Sequence, residues 1–450
     1  MTGHDARAAA PTRALGFWMT TALVVGNIIG AGIFMMPAAL APFGLNALTG
    51  WLVTVVGCAC LAISFAELAR RFPEDDGPYA YTLRAFGPAT AFVMMWCYWA
   101  SVWVANAAIA VGVVGYLLFA SPALAAGTVL PPLLALALVW LFVAINLRGV
   151  RTAGWVQVTT TVLKLVPQFA VIVLGIALAL THPRLFTAHL PTNPPSWGEA
   201  ASVSSLALFA MLGIECATIP AARVRDPQRT IPRATLVGTL LAAGIYILIS
   251  VVPMLLIPQQ QLAASSAPFA DLFTQRVGGH WGALLAAFIA VSGLGALNGW
   301  TLVVGEVTQV MARYRGFPAA LAVENRHGAP ARALVFSGVI TSIMLLTNYV
   351  GTVAKMFAFL SLIATNLSLP MYVLDAVAVL RLPAERRRGR LGALLRGGAA
   401  ALGALYCVWI AYGLEMRPLL WGIGLGLAGV PVYWWSMRRR PAAAAAGGLR

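Results

Sequence analysis

Glycine interrupts two apolar segments of this chain at points where the peptide groups themselves could do chemistry. Residues 17–45 are long enough to cross a bilayer, yet they contain three glycines within seven residues, in the run Gly26-Asn27-Ile28-Ile29-Gly30-Ala31-Gly32-Ile33-Phe34. Glycine weakens a helix relative to alanine, and unpaired backbone in a membrane persists only inside protein or along a cavity. Residues 202–222 have a similar interruption at Gly213, and a carboxylate, Glu215, follows it.

Unpaired N–H groups at the first break could bind a carboxylate without a charged side chain, because they would lie at the positive end of a half-helix. An alternative is that Gly26 and Gly30 only allow close packing of helices, as small residues four apart do. We favour the binding interpretation because the second break, with its acid, lies in the matching position. Two broken spans in corresponding places indicate a ligand site near the bilayer midplane.

Long apolar segments predict the elements that carry these breaks. Sixty per cent of the residues are hydrophobic and only 10% are charged. Stretches of about 20 apolar residues recur along the chain, as in polytopic helical membrane proteins. We therefore predict an all-α polytopic membrane protein with 12 transmembrane helices, near residues 15–42, 46–69, 88–119, 127–147, 155–181, 201–222, 234–257, 281–311, 331–348, 353–380, 392–412 and 417–437.

The positive charges predict the orientation of these spans. The formal net charge is +16, and with the N-terminus in the cytosol 25 of the 30 lysines and arginines fall in cytosolic segments. Only Arg184, Arg276, Lys355 and Arg417 fall on the other side, and Lys164 lies within a span. This bias follows the positive-inside rule and places both termini in the cytosol. The basic excess is a topology signal with an accessory attraction to anionic membrane lipid, so we do not expect nucleic acid as a partner.

Cysteine and histidine patterns argue against metal and catalytic sites. The five cysteines lie in apolar spans, and the five histidines lie in predicted loops or at span ends. We expect no metal, no cofactor and no catalytic residue. An intramembrane hydrolase would need a Ser/His pair, two aspartates or an HExxH sequence within the bilayer, and a channel would need a repeated filter. An intramembrane enzyme and a channel are therefore the least favoured alternatives.

Several short motifs occur in order over nearly the whole chain. After the run from Gly26 to Phe34 come Pro37-Ala38, Gly77-Pro78-Tyr79-Ala80-Tyr81, Tyr98-Trp99 with Trp103 and Asn106, Gly213-Ile214-Glu215, Asp226-Pro227-Gln228-Arg229-Thr230-Ile231-Pro232 and Gly299-Trp300-Thr301. In these motifs the chain resembles the amino acid–polyamine–organocation (APC) transporters. It is most similar to the bacterial basic amino acid/polyamine antiporter family, whose best-known activity is arginine/agmatine exchange. The resemblance implies alternating access around a central site and a location in the bacterial inner (plasma) membrane.

The same resemblance implies a five-plus-five inverted repeat with broken helices 1 and 6 and two additional helices. Residues 1–14 would form a cytosolic N-terminal tail, and residues 15–380 the transporter core, with repeats at about 15–181 and 201–380. Residues 381–437 would form the two additional transmembrane helices, and residues 438–450 a cytosolic C-terminal tail. The expected partners are a small amino acid or amine substrate and membrane lipid. A homodimer is the expected assembly.

The family pattern also implies roles for individual residues. The substrate carboxylate would be held at the first break by Asn27, Ile28, Gly30, Ala31 and Gly32. Leu212 and Gly213, at the second break, would offer their carbonyl groups to the α-amino group of the substrate. The substrate side chain would lie among Ser101, Val102, Asn106, Trp300 and Thr365. The pocket would be closed from the third span by Tyr98 and gated from the sixth by Phe209.

Two departures from the family pattern bear on the substrate. The arginine/agmatine exchangers have serine where this chain has Ala31, which removes a hydroxyl from the carboxylate site, and tryptophan where it has Phe209. A cationic head group can stack on Phe209 or Trp300, although tryptophan is the better partner. We therefore predict an antiporter that exchanges a cationic amino acid with its amine or a polyamine.

Two ionisable residues inside predicted spans are candidates for proton coupling or gating. Charged groups are costly in a bilayer and burial favours the neutral form, so Glu215 could be a proton-sensitive gate; alternatively it only bonds a neighbouring helix. Lys164 resembles the fifth-span lysine of some proton-coupled permeases of the superfamily, where the ammonium replaces a bound sodium ion between the first and fifth spans. Alternatively, its long side chain reaches the cytosolic interface.

A second function also remains open from these residues. Ala31, Val102 and Lys164 are compatible with proton-coupled symport of neutral amino acids. The other acids within spans are expected to have structural or gating roles. Glu67 should pair with the arginines that follow it on its helix, and Asp375 and Glu306 should lie near water at the cytosolic ends of their spans.

Overall fold

The fold is described from a computed structural model of the 450-residue chain. The structure describes residues 16–30, 32–72, 77–121, 123, 129–149, 163–187, 194, 196–215, 224, 226–348, 351–383 and 390–438. In these ranges the chain forms helices and their connections, with no β-strand. The predicted tails, residues 1–14 and 438–450, lie outside the described residues except for Arg438.

The α-helices within these ranges follow one another along the chain. They are α1 Phe17–Ile28, α2 Gly32–Leu40, α3 Ala47–Arg71, α4 Pro78–Phe86, α5 Pro88–Ala120, α6 Leu130–Leu147, α7 Leu165–Thr181, α8 Trp197–Ala210, α9 Pro227–Leu256, α10 Gln259–Ala264, α11 Pro268–Arg276, α12 Gly279–Arg313, α13 Ala331–Asn348, α14 Val353–Arg381, α15 Arg390–Tyr412, α16 Met416–Leu427 and α17 Gly429–Arg438. Short 3-10 helices cover Ala41–Asn46, Pro183–Thr187 and Ala319–Ala322.

The lengths and compositions of these helices fit a membrane protein. Eight continuous helical segments of the described chain are long and apolar enough to cross a bilayer. Shorter apolar helices lie at Phe17–Gly26, Leu165–Thr181 and Ala331–Thr347. The all-helical, polytopic architecture is thus confirmed, whereas the number of 12 spans and the inverted repeat stay predictions.

The first predicted span is divided into two helices. α1 ends at Ile28, Ile29 has extended backbone angles (φ −68°, ψ 90°), and α2 begins at Gly32. The N–H of Ile29 still donates to the carbonyl oxygen of Val25 over 2.8 Å, after which helical pairing stops. Every residue of α2 is buried, so a helix begins inside the protein.

The second predicted break also ends a helix. α8 starts with a capping box in which Ser196 and Glu199 bond each other's backbone N–H, and it ends at Ala210. Turns follow, and Gly213 has φ +108°, a conformation that favours glycine because it has no Cβ. Residues 216–223 lie outside the described residues, so the second half of this predicted span is not described.

α5 lies at the centre of the helix packing. It packs most extensively against α12 and α14, and nearly all of its residues between Ala91 and Tyr116 are buried. α1 packs against α9, and α8 packs against α3 and α14. The broken helices are therefore surrounded by long continuous ones, which can hold their interrupted backbone.

Candidate functional site

The side chain of Tyr246 on α9 bridges the first helix break. Its hydroxyl donates to the carbonyl oxygen of Ile28 over 2.7 Å and accepts from the N–H of Gly30 over 3.3 Å. Tyr246 is fully buried, and its ring meets Trp51 edge-on with centroids 6.1 Å apart. One hydroxyl thus satisfies both an acceptor and a donor that the interrupted helix leaves unpaired, as buried backbone groups require.

A small cavity lies between the two breaks. It is lined by residues of α1, α2, α5, α8 and α12 and of both breaks, namely Ile28, Gly30, Gly32, Ala105, Ile109, Phe209, Ala210, Leu212 and Trp300. The space open to the centre of a water-sized sphere is about 20 Å³. This volume holds about one water molecule and is too small for an amino acid. The structure therefore has the site in a closed conformation.

Two aromatic rings lie against the glycines of the first break. A methyl group placed on Gly32 would lie 2.9 Å from the ring of Phe209, so glycine at this position lets the ring reach the start of α2. A methyl group placed on Gly30 would lie 3.9 Å from Nε1 of Trp300. Phe209 also meets the ring of Phe357 edge-on, with centroids 5.7 Å apart. The break, Phe209 and Trp300 thus form one contiguous site.

The structure brings together six of the predicted substrate-binding residues. The residues that were predicted and line the cavity are Ile28, Gly30, Gly32, Phe209, Leu212 and Trp300. The backbone of Asn27 belongs to α1 while its side chain is not described, and Ala31 lies outside the described residues. Gly213 adjoins the cavity-lining residue Leu212 and uses its N–H within the second break.

The other predicted residues of α5 and α14 do not line the cavity in this conformation. Ser101 donates its hydroxyl to the carbonyl of Ala364 over 2.8 Å, and Thr365 donates to the carbonyl of Ser205 over 3.0 Å, so both hydroxyls join helices. Val102 is fully buried. Asn106 is also buried, and its Oδ1 has no hydrogen-bond partner within the described structure.

Sequence reasoning missed several residues of the site. On α5 the sequence predicts Ser101, Val102 and Asn106 as pocket residues, whereas the residues that line the cavity are Ala105 and Ile109, which share the face of Ser101 at four-residue spacing. It also missed Tyr246 and Tyr372. A buried tyrosine hydroxyl needs a partner, so a tyrosine within an apolar span was the available signal.

Glu215 lies where three helical segments meet. Tyr98 of α5 donates its hydroxyl to Oε1 over 2.9 Å, and Tyr372 of α14 donates to Oε2 over 2.8 Å. The N–H of Gly213 donates to Oε2 over 3.1 Å, and the side chain of Glu215 is buried. These three donors suit an ionised carboxylate, whose oxygens only accept. The geometry links the second break to α5 and α14 through a single side chain.

Asp375 follows Tyr372 by one turn of α14, and the prediction that it lies near water is wrong. Its side chain is fully buried, and Thr82 of α4 donates to its Oδ1 over 3.0 Å. Its Oδ2 has no hydrogen-bond partner within the described structure. The physical reason is that the short helix α4 packs over this part of α14, which the spacing of apolar spans could not show.

The predicted ion pairs of Glu67 are confirmed. Its Oε1 lies 2.8 Å from Arg70 and 2.9 Å from Arg71, and Arg396 of α15 approaches to 3.5 Å. Arg71 also donates to two carbonyl groups near the end of α14. This cluster ties the end of α3 to α14 and α15.

Lys164, immediately before α7, is buried and bonds to the last turn of α1. Its Nζ donates to the carbonyl oxygen of Gly26 over 2.5 Å, and the residue is only 5% exposed. Carbonyl groups at the end of a helix carry partial negative charge, which favours a nearby cation. The side chain therefore bridges to the broken helix, and the alternative that it reaches an interface does not match the structure.

The residues that line the cavity suit the binding of a small molecule. No group of three histidine, cysteine or acidic side chains that could hold a metal ion occurs among the residues that the structure describes. The cavity offers peptide groups and aromatic rings. Such a set can bind a small molecule through hydrogen bonds and ring stacking.

The fold defines an integral membrane protein that has a small cavity between two helix breaks. Residues 15–423 match the amino acid permease family, and the chain belongs to this family. It is therefore a transporter and not an enzyme, and its bacterial relatives place it in the inner membrane. The predicted resemblance to the APC transporters is confirmed.

Similar proteins of known name cover most of the chain. It is 31% identical to a putative arginine/ornithine antiporter of Bacillus subtilis, over 94% of this chain and 97% of the relative. It is 31% identical to the cadaverine/lysine antiporter of Escherichia coli strain K12, over 87% of this chain and 88% of the relative. It is 32% identical to the arginine/ornithine antiporter of Pseudomonas aeruginosa, over 89% of this chain and 86% of the relative.

Replacing Tyr246 by phenylalanine should destabilise the first break, because one hydroxyl serves both a buried carbonyl and a buried N–H. We expect the free energy of unfolding to fall by about 1–3 kcal/mol and the binding of radiolabelled amino acids to weaken. Thermal denaturation and equilibrium binding of the detergent-solubilised protein measure the two effects. Tyr433→Phe is the matched control, since Tyr433 is half-buried against Phe92 and away from the breaks. Equal effects of the two substitutions would contradict the assignment.

Proposed function

We propose that this permease is an antiporter that exchanges a cationic amino acid for its amine or a polyamine, or for a second cationic amino acid, by alternating access. The observation that carries the proposal is the meeting of two helix breaks at a cavity closed by aromatic rings. The relatives support the substrate class, because all three are named as antiporters of basic amino acids.

We assign the substrate carboxylate to the first break. The first N–H groups of α2 have no intrahelical acceptors and lie inside the protein, so they can bind an anionic group. The residues concerned are Asn27, Ile28, Gly30, Ala31 and Gly32. We assign the α-amino group to the carbonyl groups of Leu212 and Gly213, which belong to the second break.

We assign the cationic end of the substrate to the aromatic side of the cavity. Phe209 and Trp300 line the cavity, and an ammonium or guanidinium can stack on aromatic rings of this kind. The unpaired Oδ1 of Asn106 is a buried acceptor that such a cation could satisfy once the cavity enlarges. Ser101, Val102 and Thr365 would then line the enlarged pocket.

The proposed frame around this site follows the family pattern. It has 12 transmembrane helices, with inverted repeats at about 15–181 and 201–380 and two further helices within residues 381–437. Both termini would lie in the cytosol, as the distribution of lysine and arginine favours. The functional assembly would be a homodimer in contact with anionic lipid.

Exchange in liposomes tests the proposed function. Purified protein should take up radiolabelled lysine or arginine into vesicles preloaded with cadaverine, ornithine or agmatine. Uptake into empty vesicles should be close to background, because the binding site of an antiporter returns to the outward-facing state only when it carries a substrate. Equal uptake into empty and preloaded vesicles would show that the protein is not an antiporter.

Replacing Glu215 by glutamine should flatten the pH dependence of exchange. The ionised carboxyl accepts hydrogen bonds from two tyrosine hydroxyls and from the N–H of Gly213. Protonation turns one carboxyl oxygen into a donor, so a tyrosine hydroxyl facing it must turn to accept and can no longer donate to the carboxyl. The gate should therefore loosen, and wild-type exchange should rise, as the pH falls. Glutamine carries donor hydrogens at every pH, so Glu215→Gln should resemble the wild type at acidic pH throughout.

The exchange rate measured across the neutral to acidic range checks this prediction. Glu324→Gln is the control, because Glu324 is an exposed acid that lies beyond the end of α12. A Glu215→Gln profile as steep as that of the control would reduce Glu215 to a structural acid.

Proton-coupled symport of neutral amino acids is the second candidate function. One observation favours it: the buried ammonium of Lys164 bonds to α1 at Gly26. If this contact formed and broke with each transported proton, it could couple the proton to movement of α1.

Uptake of radiolabelled alanine into empty vesicles under an inward proton gradient distinguishes the two candidates. Symport predicts uptake by the wild type and its loss in Lys164→Gln. Antiport, which we favour, predicts no gradient-driven uptake by either protein, together with slower exchange in Lys164→Gln because α1 loses an anchor. Gradient-driven uptake that depends on Lys164 would replace antiport by symport.

A further inference from the structure

A second, larger pocket lies next to the closed central cavity. This outer pocket has a volume of about 480 Å³. It is bounded by α2, the adjoining 3-10 helix, and α8, α10, α14 and α16. Its lining includes Ala38, Leu206, Met356, Lys355, Glu415 and Arg417.

One helical turn separates the outer pocket from the central cavity. Leu206 of α8 lines the outer pocket, and Phe209, three residues further along the same helix, lines the central cavity. Three residues correspond to about 4.5 Å along a helix. Phe357, the ring that meets Phe209 edge-on, directly follows the lining residue Met356. A molecule in the outer pocket would therefore lie beside the aromatic pair that closes the central site.

Three charged side chains lie along the otherwise mostly apolar lining of the outer pocket. Lys355 belongs to the first turn of α14, Arg417 to the first turn of α16, and Glu415 caps α16. Within the described structure no salt bridge joins Lys355 or Arg417 to an acid. The guanidinium of Arg417 lies 5.0 Å from the ring centroid of Phe359, which also lines the pocket. Both cations are thus available to an anionic group.

Positive charge is scarce on this side of the protein. In the proposed orientation only four of the 30 lysines and arginines lie on the external side, and two of the four line the outer pocket. Of the other two, Arg276 donates to the carbonyl of Leu256, and Arg184 is exposed and does not line the pocket. The outer pocket therefore concentrates the positive charge of a surface that is otherwise depleted of it.

We propose that the outer pocket is an external recruiting site for the carboxylate of the incoming amino acid. Lys355 and Arg417 bind the carboxylate, and Glu415 binds the α-ammonium, before Phe209 moves. This inference rests on the proposed antiport. An α-amino acid carries both groups, whereas the decarboxylated amine has no carboxylate and a more positive net charge. The pair of cations therefore attracts the amino acid and repels the amine, which favours uptake of the first and release of the second.

Charge-neutralising substitutions test the recruiting site in the exchange assay. With radiolabelled lysine outside, Lys355→Gln and Arg417→Gln should each raise the external half-saturation concentration about three- to tenfold. The maximal rate and the internal half-saturation concentration should not change. With cadaverine outside, half-saturation should stay constant or fall. High salt should remove the difference between variant and wild type for lysine.

Arg184→Gln is the matched control, since it removes one external positive charge away from the outer pocket and should leave all these values unchanged. An unchanged external half-saturation for lysine in both pocket variants would overturn the proposal. So would an equal rise for lysine and cadaverine, because it would show that the carboxylate is not recognised.

A second source of anionic groups is the phospholipid head group, and vesicle composition distinguishes it. The variants should differ from the wild type in vesicles of phosphatidylcholine alone as they do with added phosphatidylglycerol. A difference that requires phosphatidylglycerol would assign the outer pocket to lipid and overturn the proposal.

The proposal and the antiport function can fail separately. Absence of exchange by the wild type would contradict the antiport function. The outer pocket is then judged by equilibrium binding of radiolabelled lysine and cadaverine to solubilised Trp300→Ala protein, in which the central site is impaired. Lys355→Gln in that background should weaken lysine binding and leave cadaverine binding unchanged; any other result overturns the recruiting site.

Discussion

Peptide groups cannot remain unpaired inside a membrane protein, and this constraint governs the whole site. The two helix breaks meet it with side chains from other helices. Tyr246 of α9 pairs the carbonyl of Ile28 with the N–H of Gly30, while Glu215 accepts the N–H of Gly213 and two tyrosine hydroxyls. Each break is therefore tied to the continuous helices around it. A rearrangement of either break must exchange these partners for others, and a substrate with a carboxylate and an amino group can supply them.

The first broken helix is held from two directions at its end. Lys164 bonds to Gly26 and Tyr246 bonds to Ile28, within a single turn of α1. The ammonium of Lys164 lies at the negative end of the helix dipole. The hydroxyl of Tyr246 bonds to the carbonyl group of the last residue of α1, where helical pairing stops. On the other side of the break, Phe209 lies against Gly32. In the proposed mechanism, Phe209 leaves α2 when the cavity opens, while Lys164 and Tyr246 keep the end of α1 in place.

The helices and both breaks were predictable from local sequence, whereas much of the site was not. Hydropathy predicts where α3, α5 and α13 lie because burial in lipid requires continuous apolar runs, and the glycines predict the breaks because they weaken helices locally. Tyr246 could not be predicted as the partner of the first break, since its contact spans more than 200 positions of the chain. Ala105 lines the cavity because of the orientation of α5 about its own axis, and Asp375 is buried because α4 packs over it. Both depend on how the helices assemble and not on local sequence.

The central cavity also shows how one site could accept an amino acid and its amine in turn. No charged side chain occurs among its lining residues in the described part of the chain. A buried arginine or lysine would bind a carboxylate strongly, but it would remain as an uncompensated charge whenever the amine occupied the site, at a cost of several kcal/mol. Peptide N–H groups carry only partial charge, and tyrosine hydroxyls or water can satisfy them when the carboxylate is absent. Full positive charge is better placed where water is near, at Lys355 and Arg417 in the outer pocket, because screening there lets the bound group leave again.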